Sequence, residues 1–351
     1  MLTKSEAAVL RSLWQRGEAT RGELVSQLKL SRPTVDRALR TLLAHRIIEQ
    51  LGPRPSLGGR PAIAYALRPD ARLLAGVDLE LPWVNLVLTD LVGSPIAKHK
   101  IRLEGRVEDP ASLLHQMGEQ LKGWVSDCGQ RWEDVAAVGI GVPGPVVRGE
   151  VSLFGITLPT WLRVPVQEML KRQLKTEVYV SHDVHLMALA EAERGGWHDE
   201  ILLFLSLRPG LVGEVRFGAS VLIKGEPYWG AHGNGGALYR AYVAAEELAD
   251  LDEERRCRHI AERLAERAVP AVTLFDPDRV VVEAEFMGTA ASRLVEHFRQ
   301  RLLSALKGEF PGLLRVSLAK VGGFGGALGA ALAAQRQLLR CPERLLDGKR
   351  R

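Results

Sequence analysis

The chain has 351 residues, 46% hydrophobic and 25% charged, with a net charge of +5. That make-up suits a soluble protein too long for one small core, so two or three domains are expected. No apolar run reaches the ~18 residues of a membrane helix, and the opening Met1-Leu2-Thr3-Lys4 lacks a secretory signal's apolar stretch. Cys128, Cys257 and Cys341 lie far apart, which gives neither a disulfide framework nor a thiolate zinc site; a cytoplasmic location is expected.

Charge is unevenly placed. Residues 1–70 hold twelve Lys/Arg against six Asp/Glu, a local excess of +6, which leaves the rest of the chain at −1. Such an excess suits a phosphate backbone, and a merely solvated basic face is the alternative.

Patterning separates the two. Thr3-Lys4-Ser5-Glu6 has capping-box spacing, Leu10, Leu13 and Trp14 follow at helical intervals, and Gly17 ends the run. Thr20-Arg21-Gly22-Glu23 repeats the box ahead of Leu24, Val25 and Leu28. A third helix opens at Ser31, with Pro33 tolerated in its first turn and Val35, Ala38, Leu39, Leu42 and Leu43 as its apolar stripe. Only Lys29-Leu30 separates helices two and three, a helix-turn-helix connection. Opposite the third helix's stripe stand Arg32, Thr34, Asp36, Arg37 and Arg40. A helix fits the DNA major groove, so Arg37 and Arg40 are expected to read bases, with Ser31, Arg32 and Thr34 at a base or phosphate. Two strands near 47–51 and 62–67, around a Gly/Pro-rich tip, predict a β-wing whose Arg54 and Arg60 reach phosphate or a minor groove.

From about residue 71 strands alternate with helices. Strands at 73–79, 84–89 and 96–103 are joined by tight turns, which predicts antiparallel pairing at a sheet edge. A helix near 110–126 precedes Val135–Val142, a strand apolar on both faces. A second α/β unit is expected from about residue 200, with strands near 201–206, 219–224 and 279–284 and helices near 288–307 and 325–338. The expected domains are 1–70, 71–199 and 200–351.

Ser31-Arg32-Pro33-Thr34-Val35 and the wing's Gly58-Gly59-Arg60-Pro61-Ala62 resemble the DNA-binding segment of regulators in the ROK family (repressors, open reading frames, sugar kinases). The resemblance continues through Gly139-Ile140-Gly141-Val142-Pro143-Gly144-Pro145-Val146, Leu158-Pro159-Thr160-Trp161, Ser181-His182-Asp183-Val184, Gly230-Ala231-His232-Gly233 and Asp276-Pro277-Asp278-Arg279. It implies an α/β fold: an N-terminal winged helix-turn-helix followed by a two-lobed actin-like domain (sugar kinase/ribonuclease H-like). Fold alone does not establish activity.

The kinase chemistry implied by the resemblance is degraded. ATP phosphates need flexible backbone N–H groups and Mg²⁺. Where the family reads Asp-x-Gly-Gly-Thr, this chain reads Asp78-Leu79-Glu80-Leu81-Pro82. Its Gly-Thr-Gly is Arg208-Pro209-Gly210, and its Gly-Gly-Gly is Glu283-Ala284-Glu285. Around the sugar site the family's asparagines fall on Thr157 and His182, and its Glu and His on Ala237 and Arg240. Asp183 alone keeps the position of the family's base. No catalytic residue, cofactor or metal is therefore expected; Tyr242–Glu247 lacks the family's zinc cysteines, and the spacing of His182, Asp183 and His185 fits a helix cap with Asp183 as N-cap. Gly322-Gly323-Phe324-Gly325-Gly326 reads as close packing at a helix start.

The combined expectation is a DNA-binding regulator, a repressor, bound as a homodimer or dimer of dimers to a pseudo-palindromic operator in double-stranded DNA. Its kinase-like part holds a small polar effector through Asp183, His182, Thr157 and Arg240. Two alternatives stay open: an active sugar kinase with a DNA-binding arm, and a DNA-binding protein whose large domain senses no small molecule.

Overall fold

The computed structural model describes residues 2–54, 61–104, 108–151, 161–210, 212–233, 235–236, 238, 241–306, 314–342 and 345, with the side chain of Arg54 left out. The N-terminal elements form where their caps dictate. Helix α1 (Lys4–Arg16) starts on a complete Thr3/Glu6 capping box. Strand β1 (Glu18–Thr20) leads to α2 (Arg21–Leu28), which starts on the second box, Thr20/Glu23. Lys29 takes a left-handed conformation at φ 52° and turns the chain. Helix α3 (Arg32–Ala44) then starts on Ser31, whose hydroxyl accepts from the Thr34 N–H. Strands β2 (Ile48–Arg54) and β3 (Ala62–Leu67) complete a three-stranded sheet in the order β1-β3-β2.

Two compact units make up the chain. The first holds residues 1–140, 165–180 and 330–351; the second holds 141–164 and 181–329. This differs from the expected boundaries at 70 and 199. Residues 141–164 and 181–199 pack with the second unit, and the C-terminal segment packs with the first.

In the first unit β4 (Leu73–Glu80), β5 (Trp83–Asp90) and β6 (Pro95–Arg102) form the expected antiparallel meander. Helix α4 (Pro110–Asp127) follows it. The chain continues through β7 (Val135–Val142), the short pair β8 (Val146–Val147) and β9 (Glu150–Val151), α5 (Val166–Leu174) and β10 (Glu177–His182). The sheet order is β10-β7-β4-β5-β6, with β6 at an edge. The core of the N-terminal segment, residues 2–67, is not closed on itself. Val9, Leu10, Leu13, Leu24, Val35 and Leu42 share one buried cluster with Leu74, Leu91, Ala331, Ala334 and Leu338.

The second unit takes in β8 and β9 and, from residue 181 on, α6 (Asp183–Gly195). Its sheet contains β11 (Ile201–Pro209), β12 (Val215–Ile223), β13 (Glu226–Pro227) and β14 (Tyr242–Val243). The short helix α7 (Ala245–Leu248) precedes α8 (Glu253–Phe275), 23 residues capped by Asp252. Strand β15 (Arg279–Glu283), helix α9 (Ala291–Ala305) and β16 (Arg315–Leu318) follow, and α10 (Gly325–Arg340) leads back to the first unit. Strand β11 pairs antiparallel with β12 and parallel with β15, which pairs parallel with β16. Among the described residues no helix is long and apolar enough to cross a membrane.

Candidate nucleic-acid interface and ligand site

Helix α3 buries Val35, Ala38, Leu39 and Leu42 and leaves Ser31, Arg32, Arg37 and Arg40 exposed, with Thr34 half-buried. Asp36, the one acid on this face, pairs with Arg21 of α2 at 3.2 Å, so the face is cationic. Arg40 donates from Nε to the Asp36 carbonyl at 3.3 Å, which steadies its stem. The Ser31 and Thr34 hydroxyls lie 2.8 Å apart and bond each other. Ser31 thus first serves as the helix cap, with Thr34 beside it. Arg54 closes β2; Arg60 and the wing tip lie outside the described residues. A helix start with exposed guanidiniums on one face is the geometry that enters a major groove.

The second candidate site surrounds the start of α6. The helix begins at Asp183, one residue earlier than expected, so His182 rather than Asp183 occupies the N-cap position. The Asp183 carboxylate accepts from the Val184 N–H at 2.7 Å. Burial raises its pKa to about 6, against the opposing charges of Arg208 and Arg216. Those arginines face each other across β11 and β12. His182 Nε2 lies 3.3 Å from Asp183 Oδ1. Burial lowers His182 to about 4 and His185 to about 3, so both rings are neutral at pH 7.

A neutral His182 ring places its proton on Nε2, beside the carboxylate, which leaves Nδ1 as a bare acceptor. His182 Nδ1 is buried with no hydrogen-bond partner, and so is His185 Nε2. His185 Nδ1 is satisfied by the Ser220 hydroxyl at 2.7 Å, and its ring stands edge-on to Trp229 with centroids 4.8 Å apart. An orphaned buried polar atom costs about 1–3 kcal/mol, so two in adjacent rings mark a place for hydrogen-bonding groups from outside the chain. His185, Ser220 and Trp229 are additions to the expected site. Thr157 and Arg240 lie outside the described residues.

The segments that the resemblance aligns with the kinase phosphate loops each carry a carboxylate nearby. Glu80 pairs with Trp83 across a hairpin whose turn is only Leu81-Pro82, and it accepts from Asn85 at 3.4 Å. After β11 the Val212 N–H donates to Glu214 Oε2 at 3.1 Å. A Cβ on Gly210 would meet that carboxylate within 2.2 Å. The Glu285 carboxylate lies over Gly322 and Gly323, 3.1 and 3.3 Å from where their Cβ atoms would stand. Glu283, buried and raised in pKa by that burial, accepts from Ser206 at 3.2 Å and from the Glu285 N–H at 2.9 Å. Among the described residues no group of three His, Cys, Asp or Glu side chains is placed to hold a metal ion.

Residues 75–246 match the ROK family model, and residues 2–51 match the MarR family model. Among curated proteins, the xylose repressor of Caldicellulosiruptor bescii is 24% identical over 66% of this chain and 56% of its own length. The DNA-binding transcriptional dual regulator NagC of Escherichia coli is 24% identical over 70% of this chain and 58% of its own. The chain thus spans little more than half the length of these relatives. Among solved structures, a ROK family transcriptional regulator described as a homolog of the E. coli MLC protein superposes with TM-score 0.76 at 15% identity, covering 97% of this chain and 99% of that one. A ROK family glucokinase from Streptomyces griseus superposes with TM-score 0.61 at 16% identity, over 75% of this chain and 99% of its own. The fold is accordingly a winged helix-turn-helix followed by the actin-like ROK domain. The chain thus carries a segment that matches the ROK family, residues 75–246, behind one that matches the MarR family, residues 2–51.

Proposed function

We propose that the protein is a DNA-binding transcriptional regulator, a repressor, that acts in the cytoplasm and whose ROK domain receives a small polar effector without phosphorylating it. The cationic face of α3 carries this reading: Arg32, Arg37 and Arg40 are exposed, and the neighbouring acid is already paired. One helix-turn-helix reads few base pairs, so a two-fold dimer on a pseudo-palindromic operator supplies the specificity. The names of the relatives, a xylose repressor and an N-acetylglucosamine repressor among them, agree with this reading. Selection of duplexes from a random pool by the full chain tests it.

No ATP chemistry belongs to this reading. The carboxylates of Glu80, Glu214 and Glu285, in or beside the segments that the resemblance aligns with the phosphate loops, add negative charge where a triphosphate needs donors, which supports this reading. Calorimetry with Mg-ATP should show no binding at micromolar protein, and a coupled assay should show no hexose-dependent turnover. Turnover abolished by Asp183→Asn would restore the kinase alternative.

The effector's chemistry follows from its partners. The Asp183 carboxylate and His182 Nδ1 both accept, so the ligand must bring hydrogen-bond donors, as a neutral polyol does and a fully ionised phosphate does not. Asp183 is raised in the folded chain to about 6. Its accepting, ionised form is therefore present above that pH and lost as pH falls through it. Polyol affinity should rise between pH 5 and 7 by about tenfold and then level off, since one titrating group limits it. Calorimetry with D-xylose and N-acetylglucosamine as probes, each on wild type and Asp183→Asn, measures this. Equal binding to both proteins would remove Asp183 from the site.

A further inference from the structure

Helix α10 belongs to both units: Gly325–Gly329 count with the second and Ala330–Arg340 with the first. Each half is held tightly. At its start the grip comes from α6, the helix that begins with Asp183. The buried Glu191 carboxylate of α6 accepts from the Lys320 and Val321 N–H groups at 2.9 and 3.0 Å, fixing the segment that leads into α10. At Gly329 the two helices meet backbone to backbone. A Cβ there would stand 1.8 Å from the Leu186 carbonyl oxygen, one turn after Asp183.

Further along, α10 holds the DNA-binding segment. Ala331, Ala334, Leu338 and Leu339 lie in the same buried cluster as Val9, Leu10 and Leu13 of α1. Buried Gln335 donates to the Leu91 carbonyl at 2.7 Å, and the Leu91 N–H donates to Pro69 in the connection between the DNA-binding segment and β4. Arg72, at the end of that connection, is buried and donates to the Ala71 and Leu345 carbonyls at 2.7 and 2.8 Å. Arg68 N–H bonds the Ile47 carbonyl at 2.9 Å. The connection is a clamped joint rather than a loose tether.

We propose that α10 is the element through which the state of α6 is communicated to the DNA-binding segment, with Glu191 and Gly329 as its input contacts and Gln335 and Arg72 as its output contacts. This rests on the reading of the chain as a regulator. A packed core has discrete arrangements rather than continuous ones, so a shift of α10 at the Gly329 crossing reappears where α10 enters the α1 core. Gly329 has no side chain at the crossing to absorb the shift.

The test uses the full chain as wild type, Gly329→Ala, Glu191→Gln and Gln335→Leu. Two quantities are read: affinity for a duplex that wild type selects from a random pool, and amide exchange in α1 and in residues 68–72. Gly329→Ala and Glu191→Gln, which lie outside the first unit, should each change affinity by about three- to thirtyfold and alter exchange in α1. Gln335→Leu should loosen residues 68–72. Glu191→Gln keeps the shape of the side chain, so it decides the matter if Gly329→Ala does not fold. The proposal is overturned if Glu191→Gln alters exchange only in α6 and the first turn of α10 and leaves affinity unchanged. Should wild type select no duplex, the regulator reading fails, while the exchange measurements still decide whether α10 couples the two ends.

Discussion

Replacing Arg37 with alanine should weaken binding to the selected operator by about 1–3 kcal/mol, and Arg40→Ala by a similar amount, while unrelated DNA is bound nearly as before. The exposed Arg37 guanidinium makes no ion pair among the described residues. Its full donor set is therefore offered to a base edge. Arg40 is held by one bond to the Asp36 carbonyl, which leaves its terminal nitrogens for the same purpose. Arg32, in the first turn, is better placed for phosphate, so Arg32→Ala should lower affinity for all sequences and reduce the salt dependence by about one counterion. Fluorescence anisotropy over a salt series separates the two behaviours. Loss of affinity without loss of sequence preference in Arg37→Ala would move that side chain from base to backbone.

The second large effect is on stability. Leu10→Ala should destabilise the chain by about 2–5 kcal/mol, because Leu10 is fully buried and the surrounding side chains cannot close the cavity completely. What distinguishes this fold is where the loss appears. Leu10 lies in one cluster with Leu74 of β4, Leu91 after β5 and Ala334 of α10. Protection of amides in β4 and β5 should therefore fall together with protection in α1. A DNA-binding segment with a private core would melt alone, leaving β4 and β5 at wild-type protection. Hydrogen exchange on wild type and Leu10→Ala reads the difference.

Local signals in the sequence were enough for some elements. Two capping boxes, a serine cap and a two-residue connection locate α1, α2 and α3, because caps act within three or four residues of the backbone they satisfy. Tight turns between apolar strands likewise give the β4-β5-β6 meander. Other features are tertiary. β1 is three residues long and becomes a strand only by pairing with β3. Helix α8 goes unread because three of its seven buried residues are alanine, Ala261, Ala265 and Ala268, and Pro270 stands inside it. The allegiance of α10 to the first unit depends on partners over 240 residues away, such as Leu91.

The candidate ligand site divides in the same way. Asp183 and His182 are legible through the family motif, as are the degraded phosphate loops. His185 becomes a site residue only because Ser220, 35 residues on, satisfies one ring nitrogen and leaves the other buried without a partner. Glu214 enters the surroundings of Arg208-Pro209-Gly210 only through the bond its carboxylate accepts from the Val212 N–H. Each is a statement about one atom's hydrogen bond, which spacing along a chain does not carry.

Sequence-specific DNA recognition by α3 in a dimer can be read in one experiment. The full chain is used to enrich duplexes from a random pool, and the product competes against unrelated DNA at physiological salt. The expected product is an inverted repeat whose half-sites are separated by steps of about 10 bp. Its preference over unrelated DNA should be at least about a thousandfold and should be lost in the Arg37→Ala/Arg40→Ala double variant. A pool that remains unenriched, or a product that competes no better than unrelated DNA, would contradict it.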